Sequence, residues 1–145
     1  NPERISVSGH SAGGHLTGML LTAEWEKDYG LPVNLINGFL PVSGLFDLAP
    51  FPFSWLQPEL QLTSEEVLRN SPLLLKPVYS PPVIVAVGAD ESQEFQRQSE
   101  VYAKYLQKYG VPVEYKLIPG KNHFNIIHDY LGDGGPLCKK IIEWK

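Results

Sequence analysis

The sequence predicts an α/β fold in which helices wrap a mostly parallel sheet. Strand-like and helical patterns alternate along its 145 residues, in the order βαβ, an insertion, then βαβα. Residues 83–87 form a continuous apolar run, which is typical of a strand covered on both faces of a parallel sheet. The pattern Tyr-Gly-X-Pro-Val occurs at 29–33 and again at 109–113, where it predicts the end of a helix before a strand. Ligands of such sheets bind at the carboxyl ends of the strands.

The first part of the chain predicts one parallel βαβ unit. A strand covers residues 5–8 and leads into a glycine-rich turn at 9–14. Apolar residues then recur at helical spacing, which predicts a single helix that runs to about Tyr29 and is terminated by Gly30. Residues 35–42 are predicted as the second strand, buried over most of its length.

Residues 43–82 break the alternating pattern and are predicted as an insertion between core elements. Their first part, at 46–55, is rich in aromatic residues and proline. A short helix is predicted after it, because Thr63 and Glu66 have the spacing of a capping box and Pro72 ends the helical pattern. The core pattern resumes with the apolar strand.

The last third of the chain completes the alternation. A helix is predicted to end at Gly110, and the strand that follows, Val113–Ile118, contains two charged residues that partly alternate with apolar ones. Such alternation indicates a strand at an exposed edge of the sheet. A final amphipathic helix is predicted around Leu137. We therefore expect residues 1–145 to belong to one domain.

The composition excludes several classes of function. The formal net charge is −4, and no cluster of lysine and arginine residues indicates a surface for nucleic acid or for an anionic membrane. No apolar run approaches the roughly 20 residues of a membrane-spanning helix. We therefore expect the partner to be a small molecule, and the sequence leaves a homodimer open.

Cysteine and histidine usage predicts neither a disulfide nor a metal site. Cys138 is the one cysteine of the sequence and cannot form an internal disulfide, which favours a reducing, cytoplasmic compartment. The four histidines stand in two pairs, and in each pair the residues are five apart, which is not a zinc-binding pattern. We expect no metal and no cofactor.

The motif Gly-x-Ser-x-Gly stands at 9–13, between the first strand and the first helix, and predicts a nucleophile elbow with Ser11 at its tip. A serine hydroxyl needs a base within hydrogen-bonding reach and an acid that orients the base. Two acid candidates, Asp90 and Glu91, follow the apolar strand, and a base candidate, His123, follows the last strand. Because all of these groups leave strands at the same edge of the sheet, we expect them to meet there.

The residues around the nucleophile have other expected roles. The backbone N–H of Ala12, directly after the nucleophile, is expected to stabilise an oxyanion. His10 occupies the variable position of the elbow, and His15 lies one helical turn beyond Ser11, where packing is the expected role. His128 is expected at the surface or at a helix end. These three histidines are weaker candidates for the base than the one that follows the last strand.

Aromatic residues are candidates for a substrate pocket. Phe46, Phe51 and Trp55 in the insertion, together with Phe124 beside the predicted base, are predicted to bind an acyl or aryl group of the substrate. The alternative is that aromatic residues of the insertion close a small hydrophobic core. The sequence leaves both interpretations open.

Four motifs resemble kynurenine formamidase-like esterases, in the hormone-sensitive-lipase-like branch of the α/β hydrolases. They are Gly-His-Ser-Ala-Gly-Gly-His-Leu at 9–16, Ser-Gly-Leu-Phe-Asp-Leu at 43–48, the segment at 88–99 and Asn-His-Phe at 122–124. The resemblance implies an α/β-hydrolase fold and hydrolysis of N-formylkynurenine or of carboxylic esters. It also implies that the chain, which begins with Asn1, is the latter half of a longer domain, with strands 5 to 8 of the fold. The upstream His-Gly-Gly segment, which donates to the oxyanion in that family, is absent.

The resemblance implies a triad of Ser11, an acid at 90 or 91 and His123. Many α/β hydrolases end the strand before the acid as Gly-x-x-Asp, and this register, counted from Gly88, favours Glu91 over Asp90. A peptidase of the prolyl oligopeptidase type is an alternative, because it shares the elbow motif. A non-catalytic binding protein with this fold is another alternative, which the presence of nucleophile, acid and base disfavours.

Overall fold

The computed structural model describes residues 5–130 and 135–144. Four strands form one sheet in the order β1-β2-β3-β4, and every neighbouring pair is parallel. The strands are β1 (Ile5–His10), β2 (Ile36–Val42), β3 (Val83–Gly88) and β4 (Val113–Ile118). Each lies where the sequence predicted a strand, so the predicted parallel sheet is confirmed. That residues 43–82 are an insertion into a partial domain stays a prediction.

The segment after β1 contains two helices, so the prediction of one helix up to Tyr29 is wrong. The first, α1 (Ala12–Leu20), is followed by α2 (Trp25–Tyr29), which ends at Gly30 as expected. Between them, the Thr22 hydroxyl donates to the carbonyl of Met19 over 2.8 Å, and the backbone bonds in this turn join residues three apart. Side-chain bonds of this kind compete with the helical ladder, and here the helix stops.

The segment between β2 and β3 contains only short helices. Two turns of 3₁₀ helix, Phe51–Phe53 and Pro72–Leu74, flank α3 (Gln57–Leu60) and α4 (Ser64–Arg69). The predicted capping box at the start of α4 is confirmed: the side chains of residues 63 and 66 each accept a hydrogen bond from the backbone N–H of the other. This reciprocal cap satisfies two N–H groups that the helix itself leaves unpaired.

Side chains of β3 alternate between two apolar clusters, one on each face of the sheet. Val83 and Val85 pack with Tyr102 of the long helix α5 (Gln93–Lys108), whereas Ile84 and Ala86 pack on the opposite face with the last helix, α6 (Pro136–Glu143). Full burial of one such side chain contributes about 1.5–3 kcal/mol to folding. Within the part of the chain that the structure describes, no helix is long and apolar enough to cross a membrane.

The carboxyl ends of the strands position the residues of interest. β1 ends directly before Ser11, and β2 ends directly before Ser43. β3 ends three residues before Glu91, and β4 ends five residues before His123. Because the strands are parallel and neighbouring, these four segments lie at one edge of the sheet, as predicted for a ligand site.

Candidate active site

Ser11 stands at the tip of a tight turn between β1 and α1. Its backbone angles, φ 58° and ψ −116°, lie outside the regions that side-chain-bearing residues usually adopt, and the cost of such a conformation is about 1–3 kcal/mol. The turn closes so tightly that a Cβ atom on Gly9 would lie 2.3 Å from the carbonyl oxygen of Gly13. The Ser11 N–H donates to the carbonyl of Val42 over 3.0 Å. The turn therefore fixes the serine above the sheet edge.

A chain of hydrogen bonds joins Ser11, His123 and Glu91. The distance from His123 Nε2 to Ser11 Oγ is 3.0 Å, and the distance from His123 Nδ1 to Glu91 Oε2 is 2.7 Å. Because an ionised carboxylate only accepts hydrogen bonds, Nδ1 carries the proton and Nε2 accepts from the serine hydroxyl. The three residues that the sequence predicted as nucleophile, acid and base thus meet in the arrangement of a serine-hydrolase triad.

Asp90, the alternative acid, does not join this chain of contacts. Its side chain is exposed, and its backbone N–H donates to the carbonyl of Lys121 over 2.9 Å. Glu91 is instead fully buried, and it is the carboxylate that accepts from His123. The geometry therefore favours position 91.

Two further hydrogen bonds hold the Glu91 carboxylate. Its Oε1 atom accepts from the backbone N–H of Gly88 over 2.8 Å and from the hydroxyl of Ser43 over 2.5 Å. Ser43 was not among the predicted site residues. The sequence contains no local signal for this contact, because 48 positions separate the two residues.

Aromatic rings surround the imidazole of His123. The centroid of the His10 ring lies 4.6 Å from that of His123, and the centroid of Phe95 lies 4.4 Å from it. The Phe124 ring stands edge-on at 5.9 Å. Burial lowers the pKa of His10 from its usual 6.5, and the positive charge of a protonated His123 lowers this pKa further. His10 thus tends to stay neutral beside the base, a role that the sequence did not indicate.

The remaining histidines lie away from the hydrogen-bonded chain, as expected. His15 Nε2 lies 2.7 Å from the carbonyl oxygen of Asn70, to which it donates, so this ring ties α1 to the end of α4. His128 is exposed in a 3₁₀ helix, Asn125–Tyr130. Neither ring contacts the nucleophile.

Ala12 is the first residue of α1. The first backbone N–H groups of a helix have no acceptor within the helix, and the positive end of the helix dipole lies there. That this N–H stabilises an oxyanion stays a prediction.

An apolar cavity of about 340 Å³ opens beside Ser11. This volume is within the range of about 300–1,000 Å³ that is typical of small-molecule sites. Phe51 and Trp55 contribute to its wall, and Trp55 is 84% exposed to solvent; that they bind substrate stays a prediction. Phe124 is exposed beside the histidine and does not line the cavity. The wall also includes Leu45, Leu56, Phe95 and Gln98.

The prediction that Phe46 binds substrate is wrong. Its side chain is 0% exposed and stacks on Tyr102 of α5, with ring centroids 4.1 Å apart and an angle of 9° between the planes. Phe46 points into the core because its backbone N–H donates to the buried side chain of Gln98 over 2.8 Å, which fixes this segment against α5. Leu45, the residue before it, lines the cavity instead.

A larger cleft, of about 550 Å³, lies at the opposite ends of the strands. Pro82, Pro112 and Trp144 line it, at the amino ends of β3 and β4 and the end of α6. Its described lining contains no serine, cysteine or histidine, so it offers no nucleophile or base like those at the carboxyl ends.

Comparisons with known proteins show what this chain is similar to. Kynurenine formamidase of Salmo salar is 39% identical over 136 residues, which are 90% of this chain and 45% of that protein. Kynurenine formamidase of Danio rerio is 35% identical over 144 residues, which are 96% of this chain and 48% of that protein. The predicted resemblance is therefore confirmed, and the chain spans about half the length of the curated relatives it matches.

The fold and the family are also established by comparison. A crystal structure described as a thioesterase, from Silicibacter sp. TM1040, superimposes with a TM-score of 0.83 at 24% sequence identity, covering 96% of this chain and 50% of that chain. This likeness shows the α/β-hydrolase fold. A family model described as the prolyl oligopeptidase family matches residues 1–132, which is most of the sequence, and the chain accordingly belongs to that family.

Proposed function

We propose that this protein is a serine hydrolase that cleaves a small carboxylic ester or an aryl formamide, such as N-formylkynurenine, through an acyl-enzyme. The observation that carries the proposal is the chain of hydrogen bonds from Ser11 through His123 to the buried Glu91. A serine with a base at 3.0 Å and an acid that orients the base is the arrangement needed for nucleophilic attack on a carbonyl.

The reaction follows from these positions. His123 Nε2 takes the hydroxyl proton as Ser11 Oγ attacks the carbonyl carbon, and Glu91 stabilises the imidazolium that forms. The Ala12 N–H stabilises the oxyanion. His123 then gives its proton to the leaving alcohol or amine, which leaves the acyl group on Ser11. Water, deprotonated by the same histidine, releases the acid, which is formate when the substrate is a formamide.

The substrate class rests on the cavity and on the relatives. The cavity beside Ser11 is apolar and has a volume of about 340 Å³, which suits an aromatic ring or a short acyl chain. Relatives at 35% and 39% identity are kynurenine formamidases. A peptidase of the prolyl oligopeptidase type is the second candidate, and the family match over residues 1–132 favours it.

The natural full-length protein should be assayed with N-formylkynurenine, p-nitrophenyl acetate and a blocked dipeptide anilide ending in proline. We expect the formamide and the ester to be cleaved and the anilide to be cleaved far more slowly. Ser11→Ala should lower kcat about 10⁴-fold or more and abolish labelling by a fluorophosphonate. Ser64→Ala, at an exposed serine, is the matched control. Preferential cleavage of the anilide would establish the peptidase instead.

Two other sequence predictions are part of the proposal, a cytoplasmic location and a homodimer. The free thiol of Cys138 supports a reducing compartment. Fractionation of cells that express the natural protein tests the location. Sedimentation velocity of the purified protein tests the homodimer.

A further inference from the structure

The buried carboxylate of Glu91 is held from two sides. On one side, Oε2 accepts from the imidazole of His123. On the other side, Oε1 accepts from Gly88 N–H and from the Ser43 hydroxyl. A buried charge is stable only when its oxygens are hydrogen-bonded, and here each donor also restricts the rotation of the carboxylate. The two bonds at Oε1 therefore determine where Oε2 points.

Ser43 is itself fixed where it donates this bond. It is 0% exposed and follows the last residue of β2, and its backbone N–H donates to the carbonyl of Ala86 in β3 over 2.8 Å. Its side chain is therefore aimed into the interior between two strand ends. The hydroxyl donates to the acid, and Ser43 is not among the residues that line the cavity beside Ser11.

The backbone conformation of Ser43 also indicates that the hydroxyl has a role. Its φ of 48° is in the left-handed region, where glycine is free of strain and serine is not. If the turn alone mattered, glycine would form it at lower cost. The hydroxyl is what serine adds, and its acceptor is the carboxylate of Glu91.

Gly88 is the second residue that donates a hydrogen bond to Glu91 Oε1. A Cβ atom on this residue would lie 2.1 Å from the carbonyl oxygen of Lys121 and 3.1 Å from Glu91 Oε1. The bare backbone therefore lets the loop that carries His123 approach the acid. The second donor to Oε1 is thus a backbone group, which leaves Ser43 as the one side chain that holds this oxygen among the described contacts.

We propose that Ser43 is a positioning residue of the reaction: its hydroxyl fixes the Glu91 carboxylate so that Oε2 orients His123 toward Ser11. This inference rests on the proposed function, because it adds a fourth member to the same chain of hydrogen bonds. Ser43 acts through Glu91 and does not touch the substrate. Its loss should therefore lower kcat and leave KM nearly unchanged.

The test compares variants of four positions in the natural full-length protein. Ser43→Gly removes the hydroxyl and relieves the left-handed backbone, and Ser43→Ala removes the hydroxyl alone. Ser99→Ala is a matched control, because this serine is also 0% exposed but its hydroxyl has no hydrogen-bond partner within the described residues. Ser71→Ala is a second control: this buried hydroxyl donates to the carbonyl of Val67 over 2.6 Å and accepts from the N–H of Leu48 over 3.0 Å, and neither partner belongs to the chain of contacts at Ser11.

We expect both Ser43 variants to have a kcat for p-nitrophenyl acetate that is about 10- to 100-fold lower than that of the wild type, because each loses one hydrogen bond to a charged group. Their KM should stay within about twofold of the wild-type value. Ser99→Ala should keep the kcat of the wild type. Ser71→Ala should lower the melting temperature and keep kcat. In a Glu91→Gln background, Ser43→Gly should have almost no further effect on kcat, because both changes interrupt the same chain of contacts.

Three results would overturn the proposal. They are wild-type kcat in Ser43→Gly, additive losses in the double variant, and a Ser43→Gly protein that fails to fold while Ser71→Ala folds. Each would make Ser43 a structural residue of the turn. Failure of the proposed function gives a different result, because the wild-type protein would then show no hydrolysis that depends on Ser11.

Discussion

The two sides of the site are built differently. On the acid–base side, the Glu91 side chain is fully buried and accepts three hydrogen bonds, and the rings of His10 and Phe95 both lie close to that of His123. On the cavity side, Trp55 in the segment between β2 and β3 is 84% exposed. Hydrogen bonds between the reacting groups define the first side, whereas apolar side chains such as those of Phe51 and Trp55 form much of the wall of the second. The reaction and the choice of substrate therefore depend on different parts of the molecule, and mutations should separate them.

The largest effect on the acid–base side is expected from its acid. Glu91→Gln should lower kcat by up to about 10⁴-fold, because an amide in place of the carboxylate no longer holds the imidazole in the required tautomer. Asp90→Asn is the matched control, since its carboxyl group is exposed, and should change kcat by less than about twofold. Steady-state kinetics of both variants show which carboxyl group orients His123. A large loss of kcat in Asp90→Asn alone would contradict the geometry.

Phe46 lies on neither side of the site, and its replacement should affect stability alone. Phe46→Ala should lower the free energy of unfolding by about 3–5 kcal/mol, because it removes a ring stacked in the core. Phe53→Ala, at a ring that is 92% exposed, should change it by less than about 0.5 kcal/mol. Denaturant unfolding measures both values. A change in the substrate preference of Phe46→Ala at an unchanged free energy of unfolding would show that Phe46 binds substrate.

The cavity side should control selectivity without controlling the chemical step. Truncation of Phe51 or Trp55 to alanine should change the ratio of kcat/KM for aryl and short alkyl esters by about 1–3 kcal/mol. Phe53→Ala serves again as the control, because its ring is exposed and does not line the cavity. Equal losses on all substrates, together with a lower melting temperature, would show that the two residues only pack.

The smallest expected effect is on the pH dependence of stability. The pKa of His10 is lowered in the folded protein, chiefly by burial, so the unfolded chain binds the proton more readily. The contribution of this group to stability is therefore complete above about pH 6.5 and is lost as the pH falls below it. His10→Phe, which keeps a ring against His123, should show a weaker loss of stability over that range.

Denaturant unfolding at a series of pH values measures the difference between the wild type and the His10→Phe variant. His128→Asn, at an exposed position, controls for the removal of a histidine. An identical pH dependence in wild type and His10→Phe would mean that folding does not lower the pKa of His10.

The sequence predicted the parts of this molecule that depend on local patterns. The glycines around Ser11, the apolar run of β3 and the alternation of strand and helix patterns along the chain were enough to predict that an acid at 90 or 91 meets His123 at one edge of the sheet. The helix break near Thr22 was missed because it depends on a side chain that bonds to its own helix. The sequence left the core position of Phe46 open as an alternative to the pocket and could not decide between the two.

Contacts between segments that are far apart in the sequence could not be predicted from it. Phe46 is held in the core by Gln98, which is 52 positions away, and Ser43 meets Glu91 across 48 positions. His10 meets the ring of His123 only once β1 and β4 are in one sheet. Such contacts follow from strand order and packing, which a pattern along the chain does not contain.

The central claim is that the reaction passes through an acyl group on Ser11. The most direct test is to quench the reaction of the natural protein with p-nitrophenyl acetate by adding acid during turnover, and then to locate the acetyl group by peptide mass spectrometry. The account predicts an acetyl group on the peptide that contains Ser11, and its absence from Ser11→Ala. Turnover at the full rate with no acetylated peptide, or with the acetyl group on another residue, would contradict the account.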